Sequence, residues 1–407
     1  MSAFAPVLRD DWLAAPDGLA LIPDGTVTSP AGFMASGVAC GLKPSGALDL
    51  GLLHALGPVS SAYVDTTSAL PSAPVQRNRS LDTARLRAVV VNAGTANAAT
   101  GSPGLDDAHA MAARAAAAIG LRPEEVAVCS TGTIGDRIDL TRVGAGIGAA
   151  AEGLTPLGGE SFGRAICTTD NAPKGGAFRL RLGRGEVTIG AAAKGAGMIR
   201  PDMATMLAFV TTDAHVPAGP LQAMVADAAA SSFNRISVDA QMSPSDTLLV
   251  MASAQGPPLE GDDLPRFAEG LAAVCRWLAI QMVKDGEGSD HAVRVVVRGA
   301  ADAAEAEAVA RAVGESALVK TAINGRDPNW GRISQAVGQA LAGADGEVHE
   351  PVVSVDGVPF SSEEATEVIA REEYDLEVSL GRGDAGAAIW VSDLGHSYVT
   401  INAEYHT

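Results

Sequence analysis

The sequence predicts a mixed α/β (α+β) protein with a second, smaller α/β unit. Three observations carry this. Short β-branched runs recur along the chain, each running into a glycine- or hydroxyl-rich loop. Stretches of strong helix formers stand between them. From about residue 286 the texture shifts to strands alternating with polar-faced helices, so the expected division is 1–285 and 286–407. No repeat of fixed period is visible.

The elements follow in order. "RAVVVNAG" (87–94) is a buried-strand run ending in a polar loop. "LDDAHAMAARAAAAIG" is a helix; Asp106 or Asp107 suits its start and Gly120 its end. "EEVAVCSTGTIG" (124–135) is a strand running into a loop, and "EVTIGAAAKGAGM" repeats that plan. "MLAFVTT" is a strand beginning just after Thr205. Residues 220–231 form a helix with Pro220 near its first turn, "DTLLVMAS" is a strand, and 264–284 is a long helix. In the smaller unit, "HAVRVVVRG" is a strand, and "DAAEAEAVARAVGES" and "WGRISQAVGQALAGA" are helices. "PVVSVDGVPF" is a hairpin turning at Asp356-Gly357. Residues 363–371 form a short helix, before strands in "YDLEVSLGRG" and "GAAIWVSD".

Composition bounds the function. The chain has 407 residues, 47 % hydrophobic and 19 % charged, which is enough for two or three domains and a sizeable core. A net charge of −19 repels nucleic acid and acidic membranes, so neither is an expected partner. It also means that an anionic substrate needs locally placed cations. Cys40, Cys129, Cys167 and Cys275 form no CxxC pair, which leaves buried, reduced thiols in a cytosolic protein as the expectation. Asp10 and Asp11 stand near the first apolar residues, where a secretion signal would be basic and then apolar. No charge-free apolar run reaches the roughly 18 residues of a membrane span.

Several motifs are decoys. "GAGIGA" (144–149) fits a dinucleotide pattern but lies in a helical stretch and follows no strand. "GRGD" (381–384) is a turn between strands. There is no GxxxxGK[ST] or HExxH, and the 7 histidines are dispersed, so neither a P-loop nor a metal site is supported.

What remains is a set of Thr-, Ser- and Gly-rich loops at strand ends. In "STGTIG", Thr131 and Gly132 suit a two-donor oxyanion hole, or a plain polar turn. "CTTD" offers Thr168 and Thr169, or a cap; "KDGEGSD" places Glu287 between glycines after a helix. Thr205 is a weak nucleophile unless a base stands beside it. An N-terminal threonine carries its own base, an α-amine of pKa about 8. To become N-terminal it must attack the carbonyl before it, and Ala204 is small enough to leave room.

"KGAGMIRPDMATML" resembles the signature of the ornithine acetyltransferase family, also called bifunctional glutamate N-acetyltransferase. "GFMASGVACGLKPSGALDLGLL", "AVVVNAGTANAATG", "STGTIG", "CTTDNAPK", "FNRISVDAQMSPSDT", "KDGEGSD", "DPNWGRI" and "INAEYHT" resemble its other blocks, in the same order, over nearly the whole chain. The resemblance implies layered sheets sandwiched by helices in a self-processing Thr-nucleophile fold. It implies cleavage between Ala204 and Thr205 into chains 1–204 and 205–407 that stay associated, as a dimer of the two-chain unit. Thr205 would be the nucleophile, with Thr131 and Gly132 holding the oxyanion. Thr168 and Thr169 would line the substrate pocket, Thr169 the favoured one. Lys194 would face a carboxylate and Glu287 an ammonium, and Asn402 and Thr407 would reach back into the site. The implied reaction passes acetyl from N-acetylornithine to Thr205 and then to glutamate, in arginine biosynthesis, in the cytoplasm. It needs no metal or organic cofactor; whether acetyl-CoA is a further donor stays open. A related N-terminal-threonine amidase or peptidase, or an acyltransferase with another amino acid, is the alternative. The sequence departs from the family pattern at Thr95, Asn171, Met242 and 289–291, where Ser, Asp and His replace Ala-Thr-Lys.

Overall fold

Side chains on the central strands alternate between two different cores, and this alternation sets the layering. The computed structural model describes residues 9–200 and 206–404. In chain order its strands are β1 (Leu19–Ile22), β2 (Phe33–Val38), β3 (Leu50–Ala55), β4 (Ser60–Asp65), β5 (Ala88–Thr95), β6 (Val126–Thr133), β7 (Lys174–Leu182), β8 (Gly185–Lys194), β9 (Leu207–Thr212), β10 (Ile236–Ser237), β11 (Thr247–Ala252), β12 (Ala292–Ala300), β13 (Val352–Val355), β14 (Val358–Pro359), β15 (Glu373–Ser379) and β16 (Ala385–Ser392). Its helices are α1 (Asp10–Leu13), α2 (Ala73–Arg79), α3 (Gly101–Ile119), α4 (Leu140–Glu152), α5 (Gly159–Ala165), α6 (Ala218–Ala230), α7 (Asp263–Lys284), α8 (Ala303–Gly314), α9 (Ala317–Asn324), α10 (Trp330–Ala340), α11 (Glu363–Ile369) and α12 (His396–Glu404).

The first sheet runs β1-β7-β8-β9-β11-β4, and the second β2-β3-β5-β6. On one face of the first sheet, Ile189, Ala191, Ala208, Val210, Leu248 and Val250 pack with Leu221 and Val225 of α6 and with Phe267, Leu271 and Leu278 of α7. Its other face, through Ala192, Phe209, Leu249 and Met251, packs on Leu53, Val89 and Val91 of the second sheet. The second sheet turns Leu52, Val90 and Val128 outward onto Met111 and Ala115 of α3 and Val143 and Ile147 of α4. The order of layers is thus helix, sheet, sheet, helix. Strands buried on both faces read as near-continuous apolar runs, which is why "MLAFVTT" and "DTLLVMAS" show no polar alternation.

The third sheet runs β10-β16-β12-β15-β13-β14 and carries its own core against α8, α9 and α10. It borrows β10 from the middle of the chain, pairing Ile236 with Trp390 in parallel. β13 and β14 are the expected hairpin, with Asp356 at φ 45° and Gly357 at φ 77°.

One boundary differs from the sequence expectation. α3 begins at Gly101, ahead of Asp106 and Asp107. Thr100 Oγ1 donates to Asn97 Oδ1 at 2.8 Å, and Asn97 Nδ2 donates to the Gly104 carbonyl at 2.8 Å, so a side-chain network organises an extra first turn. Asp107 is left inside the helix, paired with Arg137 at 2.7 Å. The far end falls at Gly120, left-handed at φ 71°, as expected.

Leu249 is fully buried between the two central sheets. Leu249→Ala should therefore cost about 2–5 kcal/mol of stability, read by urea unfolding. A loss below about 1 kcal/mol would mean the sheets do not close through it.

Candidate active site

Strand ends from all the central layers converge on one place. β5 and β6 are parallel neighbours, with Ala93 opposite Thr131 and Gly94 opposite Gly132. Gly132 has φ 128°, and a Cβ there would sit 2.2 Å from the Gly94 carbonyl carbon, so only glycine fits. Lys194 closes β8 and is 2 % exposed. Its Nζ donates to Thr131 Oγ1 at 3.3 Å, which leaves the Thr131 hydroxyl proton free to point elsewhere. The loop after α7 brings Glu287, buried, whose N–H donates to the Ala196 carbonyl at 2.9 Å. α12 buries none of its side chains and is held by polar bonds: Asn402 Nδ2 donates to Glu287 Oε2 at 2.8 Å, and Tyr398 OH donates to Asp239 Oδ2 at 3.2 Å.

Thr131, Gly132, Thr168, Thr169, Lys194, Glu287 and Asn402 line one cavity of about 200 Å³. Every sequence-predicted site residue that the structure describes is therefore brought together. Ala204, Thr205 and Thr407 lie outside the described residues. Gly197 and Met198, from the connection that carries Thr205, form part of the wall.

Behind the cavity lies a charge network that sequence reasoning missed. The Asp170 side chain is fully buried. It meets Lys174 Nζ at 2.6 Å and Lys194 Nζ at 3.9 Å, and accepts N–H bonds from Gly195 at 2.7 Å and Thr168 at 2.9 Å. Burial alone would push its carboxyl up, but the lysine charges and these bonds outweigh burial and hold it well below the usual range. Burial likewise pulls Lys174 down, and Asp170 and Asp285 more than reverse it. Asp239 is different: burial pushes its carboxyl up, despite N–H bonds from Met198 at 2.6 Å and Ile199 at 2.9 Å. Asp170 stands in "CTTD", and Asp239 and Ser245, which also line or back the cavity, in "FNRISVDAQMSPSDT". Those blocks were visible; that these particular side chains face inward was not.

Of the departures from the family pattern, Met242 lines the cavity, whereas Thr95, Asn171 and His291 do not. His291 is buried elsewhere, with Nδ1 at 2.8 Å from the Arg371 carbonyl. Cys129 and Cys275 are buried, and burial pushes their thiols up to about 12. Cys40 and Cys167 are only partly covered, unlike the four buried thiols expected, because both sit in loops at the rim of the packed layers. Among the described residues no group of 3 or more His, Cys, Asp or Glu side chains is placed to hold a metal, and no helix is long and apolar enough to cross a membrane.

A hydroxyl and a glycine at adjacent positions, with one lysine and one glutamate on the same cavity, suit acyl transfer on a small zwitterion. That is the class the cavity defines. The chain itself belongs to the ArgJ family, whose pattern it matches over residues 34–407. It is 44 % identical to the arginine biosynthesis bifunctional protein ArgJ of Symbiobacterium thermophilum, over 98 % of this chain and 100 % of that one. The ArgJ protein of Bacillus subtilis is 40 % identical over 94 % and 97 % of the two chains. Among solved structures, a chain of the Mycobacterium tuberculosis ornithine acetyltransferase complexed with ornithine is 42 % identical; the match covers 46 % of this chain and 100 % of that one, with a TM-score of 0.43.

Two predictions follow from the geometry. A Cβ on Gly197 would lie 2.3 Å from a Glu287 carboxylate oxygen, so Gly197→Ala should raise KM more than it lowers kcat. An unchanged KM would show that Glu287 has room to move away. Asp170→Ala leaves the buried Lys194 without a carboxylate and Lys174 with Asp285 alone, and should cost about 3–5 kcal/mol. Because the Asp170 carboxyl is held low, its contribution is fully present above the ordinary carboxylate pKa of about 4 and is lost as pH falls through the lower folded value. The stability gap between wild type and Asp170→Asn, measured by urea unfolding, should therefore be constant near neutrality and shrink in strong acid.

Proposed function

We propose that the protein is a self-processing N-acetyltransferase of arginine biosynthesis. It cuts its own chain between Ala204 and Thr205 and then moves acetyl from N-acetylornithine to glutamate. The observation that carries this reading is the single cavity shared by Thr131, Gly132, Lys194 and Glu287, walled in part by the connection bearing Thr205. Membership of the ArgJ family, with relatives named for arginine biosynthesis, supports the choice of substrates.

In the first half-reaction the freed α-amine of Thr205 takes the Oγ proton as Oγ attacks the acetamide carbon. Thr131 Oγ1–H and the Gly132 N–H stabilise the oxyanion, with the Lys194 charge close behind. The amine returns the proton to the departing nitrogen, and ornithine leaves an acetyl ester on Thr205. The amine of glutamate attacks that ester, the proton moves the same way, and N-acetylglutamate departs with the hydroxyl restored. Lys194 faces the substrate α-carboxylate and Glu287 its ammonium, oriented by Asn402. Thr168 and Thr169 line the same cavity. The two pieces remain one body, since β8 and β9 on either side of the cut are paired strands. Two such units form the cytoplasmic assembly.

The purified protein should give two bands on a denaturing gel, with intact masses of 1–204 and 205–407. Thr205→Ala should give one band and lose activity by about 10⁴-fold or more. Incubation with N-acetylornithine and glutamate should yield ornithine and N-acetylglutamate in equal amounts. A single wild-type band would sink self-processing. Acetate released without N-acetylglutamate would replace transfer by hydrolysis and make the protein an amidase.

A further inference from the structure

Asp393 is buried where the chain leaves β16, and the chemistry above gives it no task. Its carboxylate takes donors on both oxygens. Oδ1 accepts the Ser289 hydroxyl at 2.5 Å and the N–H groups of Asp290 and His291 at 3.0 and 3.1 Å; Oδ2 accepts Asn324 Nδ2 at 2.8 Å. Bonds on both sides hold a buried carboxylate in one orientation. The backbone around it is fixed too. The Asp393 N–H donates to the His291 carbonyl and the Leu394 N–H to the Lys320 carbonyl, both at 3.2 Å. The buried Lys320 Nζ donates to the Ser392 carbonyl and, at 3.2 Å, to Ser392 Oγ.

Ser289, Asp290 and His291 belong to the loop that carries Glu287, and α12 starts at His396, just past Asp393. Gly288 lets loop and helix meet: it has φ 65°, and a Cβ there would lie 2.3 Å from the Tyr398 nitrogen. Because α12 buries none of its side chains, no apolar packing sets its place. Its root at Asp393 sets it, with the polar bonds of Tyr398 and Asn402. The two partners of the Asn402–Glu287 bond thus hang from one carboxylate, Glu287 on the loop side and Asn402 on the helix side.

We propose that Asp393 is a positioning residue for the ammonium end of the substrate: it fixes the loop of Glu287 and the root of α12 relative to each other, and so aims the Glu287 carboxylate. The inference rests on the reading that Glu287 faces that ammonium. The side chain of N-acetylornithine ends in an ammonium and that of glutamate in a carboxylate. Asp393 therefore matters to the first half-reaction and little to the second.

The test follows two rates in the full chain, because in a ping-pong scheme kcat/KM for each substrate reports its own half-reaction. Glu287→Gln should lower kcat/KM for N-acetylornithine about 10-fold or more and leave that for glutamate within about twofold. Asp393→Ala should show the same selectivity, with a fall of about 10-fold on N-acetylornithine alone. The double variant should be within about twofold of Glu287→Gln, since Asp393 acts through Glu287. Equal falls on both substrates would mark a merely structural role and overturn the proposal, as would full additivity in the double variant. A folded but uncleaved Asp393→Ala chain overturns it too, by moving the residue to the cutting step. Should the Ala chain fail to fold, the isosteric Asp393→Asn decides: it keeps an acceptor oxygen and loses the charge, so a fall of about threefold on N-acetylornithine alone supports the assignment and no change overturns it. An effect of Glu287→Gln without one of Asp393→Ala overturns the inference by itself. No effect of Glu287→Gln refutes the reading of Glu287, and the inference with it.

Discussion

The pairing of β8 with β9 is the constraint on which the site depends. The two strands run antiparallel from Ile189 opposite Thr212 to Lys194 opposite Leu207, inside a sheet covered on both faces. Their ladder is shielded from water, and among the described residues it ends at Lys194 opposite Leu207. Two consequences follow. The connection is free to serve chemistry, because a break in it removes no ladder bond. The last residue of β8 and the first of β9 are held at a fixed separation, so Lys194 stays beside the segment that carries Thr205. The neighbour β11 extends the same logic, since its register sets Asp246 against Met206.

Charge is arranged around the same point. A chain of net charge −19 gives an anionic amino acid no general attraction, and beyond about 8 Å the field is screened in physiological salt. What counts is the local cation. Lys194 and Lys174 are both buried, and a buried charge is costly unless it is paired. Asp170 answers both, and Asp285 answers Lys174 a second time. Lys194 is the less committed of the pair, at 3.9 Å from Asp170, and it lies on the cavity side. The network thus leaves Lys194 with one carboxylate and Lys174 with two. Opposite it, Glu287 is kept in place by Asn402 and by the absence of a side chain at Gly197.

Much of this was legible in the sequence, for physical reasons that differ from element to element. β5, β6, β8, β9 and β11 could be read because strands buried on both faces are runs of apolar residues that end abruptly in polar loops. Thr131, Gly132 and Lys194 at those ends, and Glu287 in the loop after α7, could be read as chemistry once they were set beside one another by the family resemblance. β1 to β4 and α2 were not assigned. Their sequences mix Pro, Gly and Ser with short apolar pieces, and their strand character comes from pairing, as when Leu19–Ile22 lies against β7. α5, α9 and α12 escaped notice for a similar reason, being short and fixed by neighbours more than by their own periodicity. Asp170, Asp239 and Asp246 could not be ranked above other acidic residues, because their surroundings are set by partners up to 159 positions away, as between Asp239 and Tyr398. No local spacing records such a partner.

The same distinction bears on specificity. Read along the chain, the departures from the family pattern near the site seemed equivalent. In three dimensions they separate. His291 and Asn171 face away from the cavity: the His291 imidazole reaches the Arg371 carbonyl, and the Asn171 N–H reaches Asp285. Met242 alone among them lines the wall, between Gln241 and Ser243. A thioether there is longer and less polar than a threonine hydroxyl, and it removes a donor from the side of the cavity that Asp239 and Ser245 also face. Of the departures from the family pattern, Met242 is therefore the one set on the cavity wall, while Lys194 and Glu287, which line the same cavity, are those of the family pattern.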